Sequence, residues 1–237
     1  MLHIEKYSIS IDSKLILNNI SVQFEKGKIY ALMGPNGSGK STLALSLAGS
    51  PNLSLSKDAK VWFKSDDITQ AKPEDRARKG LFITLQSPPA ISGVTVFQLL
   101  RTALSRKIKP FDLRKKLFET AQDLSISKEL LSRSLNEGFS GGERKKMEIL
   151  QLALLDPDCI FFDEIDTGVD VDALRTIAGF LQKFKTPEKT FIFITHNTKI
   201  LEYLKPNFVI VLKNGEITRT GDNTLVQYIE KNGYDSL

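Results

Sequence analysis

The chain has 237 residues, enough for one large domain or a domain with an insertion, and its 41% hydrophobic and 26% charged residues exclude a disordered chain. No apolar run approaches the roughly eighteen residues of a membrane span, no secretory leader is expected from Met1-Leu2-His3-Ile4-Glu5-Lys6, and the single cysteine, Cys159, excludes an internal disulfide. The net charge of +5 gathers in short clusters, Arg76-Ala77-Arg78-Lys79, Arg114-Lys115-Lys116 and Arg144-Lys145-Lys146. With acidic neighbours and no interleaved aromatics, these read as solvated helix faces, so a nucleic-acid partner is not expected.

In chain order, an alternating strand-like start leads to the apolar run Ile29–Met33, then a glycine-rich loop, then Leu43, Leu45 and Leu47 on a helix that stops near Gly49 and Pro51. Leu81–Leu85 is a second buried-strand candidate. From Val94 to Leu135 the spacing turns helical: Val96, Leu99, Leu100, Ala103 and Leu104 mark one face, and Leu113, Leu117, Phe118 and Ala121 another. A helix follows Ser140 and runs through Leu155. Cys159–Phe162 and Phe191–Thr195 are further short apolar runs of the kind covered on both faces. Phe208–Leu212 and Glu216–Thr220 flank Lys213-Asn214-Gly215, a hairpin signal. The alternation predicts an α/β fold with a mainly parallel sheet and an inserted helical subdomain over 87–155, between core segments 1–86 and 156–237.

Gly34-Pro35-Asn36-Gly37-Ser38-Gly39-Lys40-Ser41-Thr42 completes the phosphate-loop pattern between a strand and a helix. Its glycines let backbone N–H groups turn toward phosphates at a positive helix end. Lys40 would reach the β- and γ-phosphates, and the Ser41 hydroxyl would hold Mg²⁺. Cys159–Phe162 runs into Asp163 and Glu164, placed at a strand's carboxyl end, where ligands bind in parallel sheets. Asp163 is a candidate for Mg²⁺ contact and Glu164 for polarising an attacking water. His196 and Gln86 also follow apolar runs, and the Gln86 amide oxygen is a third metal candidate beside Ser41 and Asp163. Ser140-Gly141-Gly142-Glu143 reads as a capping box and equally as an anion site at a helix N-terminus.

The order of these motifs, with Thr167-Gly168-Val169-Asp170 between Glu164 and His196, resembles the ABC ATPase family across essentially the whole chain. The resemblance implies an ATP-hydrolysing core with an N-terminal antiparallel β part, ATP and Mg²⁺ as cofactors, and catalytic roles for Lys40, Glu164 and His196. It also implies a transient ATP-dependent homodimer, in which Ser140, Gly141, Gly142 and Glu143 complete the partner's site in trans and Asp170 lies in the dimer loop. A narrower likeness, to the SufC family of iron–sulfur cluster assembly ATPases, rests on Asn136 through Lys146, Glu148-Ile149-Leu150-Gln151, Asp163 through Leu174 and Gly233-Tyr234-Asp235. Ile165 stands where most transporter ATPases carry proline. That likeness implies SufB/SufD-type scaffold partners in the cytoplasm or a plastid-like compartment, without membrane insertion; a transporter subunit is the alternative. Ile11 occupies the region where many family members place an adenine-stacking aromatic. One cysteine and two histidines argue against direct cluster binding.

Overall fold

A computed structural model describes residues 1–196, 198–234 and 236. The chain opens with β1 (Leu2–Ile11), β2 (Lys14–Phe24) and β3 (Ile29–Met33), followed by α1 (Lys40–Ala48), β4 (Ser54–Leu55), β5 (Lys60–Phe63) and β6 (Asp66–Asp67). It continues through α2 (Pro73–Lys79), β7 (Leu81–Ile83), α3 (Val96–Ala103), α4 (Pro110–Asp123), α5 (Lys128–Ser132) and α6 (Gly141–Leu155). The last part holds β8 (Cys159–Asp163), α7 (Val171–Phe184), β9 (Thr190–Ile194), α8 (Lys199–Tyr203), β10 (Phe208–Lys213), β11 (Glu216–Gly221) and α9 (Thr224–Asn232). Two compact units emerge: residues 1–83, 158–164 and 186–237 form the first, and 84–157 with 165–185 the second.

In the first unit, one sheet runs β11-β10-β3-β9-β8-β7, parallel throughout except for β11. Its inner strands β8 and β9 are buried at every position, which is why they read as unbroken apolar runs and not as alternations. The second sheet is antiparallel, ordered β2-β1-β5-β6, with β4 also on β1. In β1 the buried set Leu2 and Ile4 shifts phase to Tyr7 and Ile9 across a bulge where Lys6 has φ 47°. Both sheets bury their apolar faces in one core, where Phe24 meets Tyr30 and Phe161 edge-on. At the β10–β11 turn Asn214 and Gly215 have φ 52° and 79°, the left-handed pair that a two-residue hairpin needs.

The second unit is helical. Val96 and Leu100 of α3 are buried, as are Leu113, Leu117 and Ala121 of α4. Ala103 and Phe118, expected on those covered faces, are instead exposed. Two basic clusters also need correction, because Arg76 and Lys145 are only 5% and 3% exposed. Arg76 turns inward in the first unit, donating to Ala71 O, Leu47 O and Thr69 O at 2.8–2.9 Å. It thereby satisfies a carbonyl at the C-terminal end of α1, where orphan acceptors collect. Among the described residues no helix is long and apolar enough to cross a membrane.

Candidate functional site

The phosphate loop joins the last residue of β3 to α1. Gly39 caps α1 with φ 103°, a backbone state that L side chains resist, and a Cβ there would meet a Leu17 methyl at 2.6 Å. A Cβ on Gly34 would lie 2.0 Å from Leu212 O. The loop is thus pressed against β10 and braced at its tip, where Gly215 N–H donates to Ser38 O at 3.1 Å. Lys40 is buried and folds its ammonium across the loop, donating to Gly34 O at 2.9 Å and Pro35 O at 2.8 Å, with Ser38 Oγ at 3.4 Å. Burial holds the Lys40 pKa below the ordinary lysine value, against the opposing pull of Glu164 and Asp163.

The carboxyl ends of β3, β8 and β9 lie side by side because those strands are neighbours in a parallel sheet. Ser41 Oγ donates to Asp163 Oδ1 at 3.1 Å. A hydroxyl and a carboxylate oxygen so close together are hard donors of the kind Mg²⁺ takes, so these residues fit that ion. One residue on, Glu164 has φ 48°, a left-handed state costing about 1–3 kcal/mol for a residue other than glycine. Its N–H is tied to Ile194 O at 2.9 Å, and its Oε1 lies 3.1 Å from His196 Nδ1. The Glu164 side chain is only 13% exposed, whereas His196 is 48% exposed. A sheltered carboxylate oriented by an imidazole is an arrangement suited to accepting a proton from water.

Within the second unit, Ser140 caps α6 reciprocally: Ser140 N–H donates to Glu143 Oε2 at 2.7 Å, and Glu143 N–H to Ser140 Oγ at 3.3 Å. Those bonds hold the Glu143 carboxyl below the usual carboxylate range. A Cβ on Gly141 would fall 2.3 Å from Gly168 O, so the α6 terminus packs directly on the Thr167–Asp170 segment. Asp170 in turn caps α7, accepting from Ala173 N–H at 2.8 Å. Ser140, Gly142, Glu143, Lys146 and Asp170 line one open cleft. Gln86 is exposed, three residues past the end of β7.

The ABC transporter family model matches residues 17–167, spanning the phosphate loop, Gln86, the Ser140 motif and Glu164. This chain belongs to the ABC family. It is 40% identical over 242 residues to the "Probable ATP-dependent transporter SufC" of Escherichia coli (strain K12), covering 99% of this chain and 97% of that one. It is also 40% identical over 246 residues to the "Probable ATP-dependent transporter ycf16" of Antithamnion sp., covering 100% and 97%. Its fold matches the dimeric post-hydrolysis state of an ATP-binding cassette bound to ADP and Pi, with a TM-score of 0.80 at 19% identity over 94% of this chain and 99% of that one. The chain is an ABC ATPase of the kind grouped with SufC and ycf16.

Sequence reasoning about this ABC ATPase missed several contacts. Tyr234 touches the phosphate loop at Gly34, and its backbone oxygen accepts from Lys213 Nζ at 2.9 Å. Burial pushes its phenol pKa up, with a hydrogen bond from the Gly34 backbone opposing. The Gly233-Tyr234-Asp235 motif was visible in the sequence, but nothing there linked it to Gly34; Asp235 lies outside the described residues. The strand expected over Leu81–Leu85 stops at Ile83, because Leu85 makes its backbone hydrogen bonds with side chains of α6 instead of a neighbouring strand.

Proposed function

We propose that this ABC ATPase hydrolyses Mg-ATP at the Gly34–Thr42 loop and uses ATP-dependent homodimerisation to drive conformational change in a soluble iron–sulfur cluster assembly scaffold of the SufB/SufD type, in the cytoplasm. The backbone of Gly34 through Thr42 and the Lys40 ammonium bind the phosphates. Ser41, Asp163 and Gln86 hold Mg²⁺, which when bound neutralises charge building on the transferred phosphoryl group. Glu164 accepts a proton from the attacking water, and His196 holds that carboxylate and the γ-phosphate end in register. Ser140 and the Gly141 and Gly142 amides serve the second subunit's ATP, with Asp170 at the dimer seam.

The observation that supports the chemistry best is the 3.1 Å contact between Glu164 and His196 at the sheet edge where Ser41 meets Asp163. The scaffold role rests on the full-length likeness to SufC and on Ile165 in place of the usual proline. The test is affinity capture with the Glu164→Gln protein in Mg-ATP, which arrests turnover in the ATP-bound state. Recovery of soluble Suf-type scaffold proteins supports the reading. Recovery of integral membrane subunits alone leaves the ATPase chemistry intact and moves the role to transport.

A further inference from the structure

Leu85, the residue before Gln86, has both of its backbone groups held by side chains of α6. Its N–H donates to Glu148 Oε1 at 2.6 Å, and its C=O accepts from Lys145 Nζ at 2.7 Å. Lys145 and Glu148 lie one helical turn apart with their charged atoms 3.8 Å from each other, and their side chains are 4% and 8% exposed. Leu85 as a residue is 39% exposed, so α6 grips its main chain without burying the leucine. Farther along the same segment, Asn136 Nδ2 donates to Pro89 O at 2.9 Å, Ile91 N–H to Leu135 O at 2.9 Å and Gly93 N–H to Ser134 Oγ at 3.0 Å. The segment that carries Gln86 is therefore fastened at both ends within the helical unit.

A buried ion pair is a costly way to fill space, since apolar residues of similar volume commonly do as well or better for stability. What Lys145 and Glu148 can do that apolar side chains cannot is satisfy an N–H and a C=O of a segment that has left its strand. They also do so from the helix whose first turn is Ser140's capping box, lying five and eight residues after Ser140.

We propose that Lys145 and Glu148 are positioning residues: by clamping the Leu85 main chain they fix the direction in which Gln86 leaves the chain, and they make Gln86 and the Ser140 end of α6 move as one piece. The inference rests on the assignment of Gln86 to Mg²⁺ given above. It gives each subunit a rigid link between the residue serving its own nucleotide and the motif serving its partner's.

The test is the full-length double variant Lys145→Met/Glu148→Leu, which keeps the volume and removes the clamp. Nucleotide affinity in EDTA should stay within about twofold of wild type, whereas the half-saturating Mg²⁺ for ATPase activity should rise about 10-fold and kcat fall by about as much, the usual effect of losing an outer-shell partner. In a Gln86→Ala background the double variant should add nothing to either parameter. Glu148→Gln, which keeps an acceptor for Leu85 N–H, should restore much of the Mg²⁺ response lost in Glu148→Leu. Wild-type Mg²⁺ dependence and kcat in the double variant would overturn the proposal, as would full additivity with Gln86→Ala. If the double variant does not fold, the single variants Lys145→Met and Glu148→Gln are cycled against Gln86→Ala and judged by the same additivity. A wild-type protein that bound no nucleotide would instead sink the functional reading, and the clamp's role with it.

Discussion

Gly141→Ala offers a graded test of the signature turn. The ideal Cβ falls 2.3 Å from Gly168 O, while ordinary van der Waals contact begins near 3.4 Å, so about 1.1 Å must be recovered. The obstructing atom is a backbone carbonyl, not the end of a flexible side chain, so either the α6 terminus or the Thr167–Asp170 segment has to withdraw. Overpacking of this kind costs about 1–3 kcal/mol, less whatever fraction of ~1 kcal/mol alanine's helix propensity returns at this first-turn position. A reacting geometry displaced by about 1 Å loses about 10²-fold in rate. Gly142→Ala is the internal comparison: its Cβ would meet Ala173 Cβ at 3.2 Å, which asks for only a few tenths of an ångström. Steady-state ATPase activity, nucleotide binding and chemical denaturation should be measured on both variants. Gly141→Ala should lose about 10²-fold in turnover with nucleotide affinity retained, and Gly142→Ala less than about tenfold. Full activity in Gly141→Ala, or a larger loss in Gly142→Ala, would refute the packing argument.

Four further outcomes are expected. Glu164→Gln should slow hydrolysis by about 10²–10⁴-fold, the worth of a general base, while equilibrium titration shows ATP still bound. Lys40→Ala should weaken nucleotide binding itself in the same titration, because the ammonium proposed to meet the phosphates is also the group bridging Gly34 O and Pro35 O. Gly179→Ala should stabilise the protein by about 0.5–1 kcal/mol in denaturant melts without changing activity, since Gly179 lies inside α7 and a Cβ there meets nothing within 4 Å. For pH, the native Glu143 carboxyl titrates below its unfolded value of 4.5 because Ser140 donates to the ionised form. Its capping contribution is therefore fully present above that value and fades as the pH falls through the native pKa. Glu143→Gln should flatten the fall in stability below its unfolded value of 4.5 in urea melts, and identical profiles would remove Glu143 from the cap.

The Gly34–Thr42 loop was legible because its pattern lies in nine consecutive residues between a strand and a helix, and the strands that run into Glu164 and His196 were legible because burial on both faces leaves an unbroken apolar signature. Neighbouring parallel strands then bring Asp163 to Ser41 and Glu164 to His196 across gaps of 122 and 32 residues. The apolar pattern reports which faces are covered, but it is silent on what satisfies each backbone group. That silence explains the errors. Leu81–Leu85 looks like one strand by composition, yet the ladder ends at Ile83 because Lys145 and Glu148 capture the Leu85 backbone. In the same way Arg144-Lys145-Lys146 looks like a solvated face. Helical spacing held the correction, since Lys145 falls on the stripe of Gly142, Ile149 and Leu152, all buried. Arg76 carried no comparable signal, because α2 is only seven residues long and its other residues are not buried. A charged residue on a covered stripe is evidence of a backbone group somewhere that needs it, and here that group lies directly before Gln86.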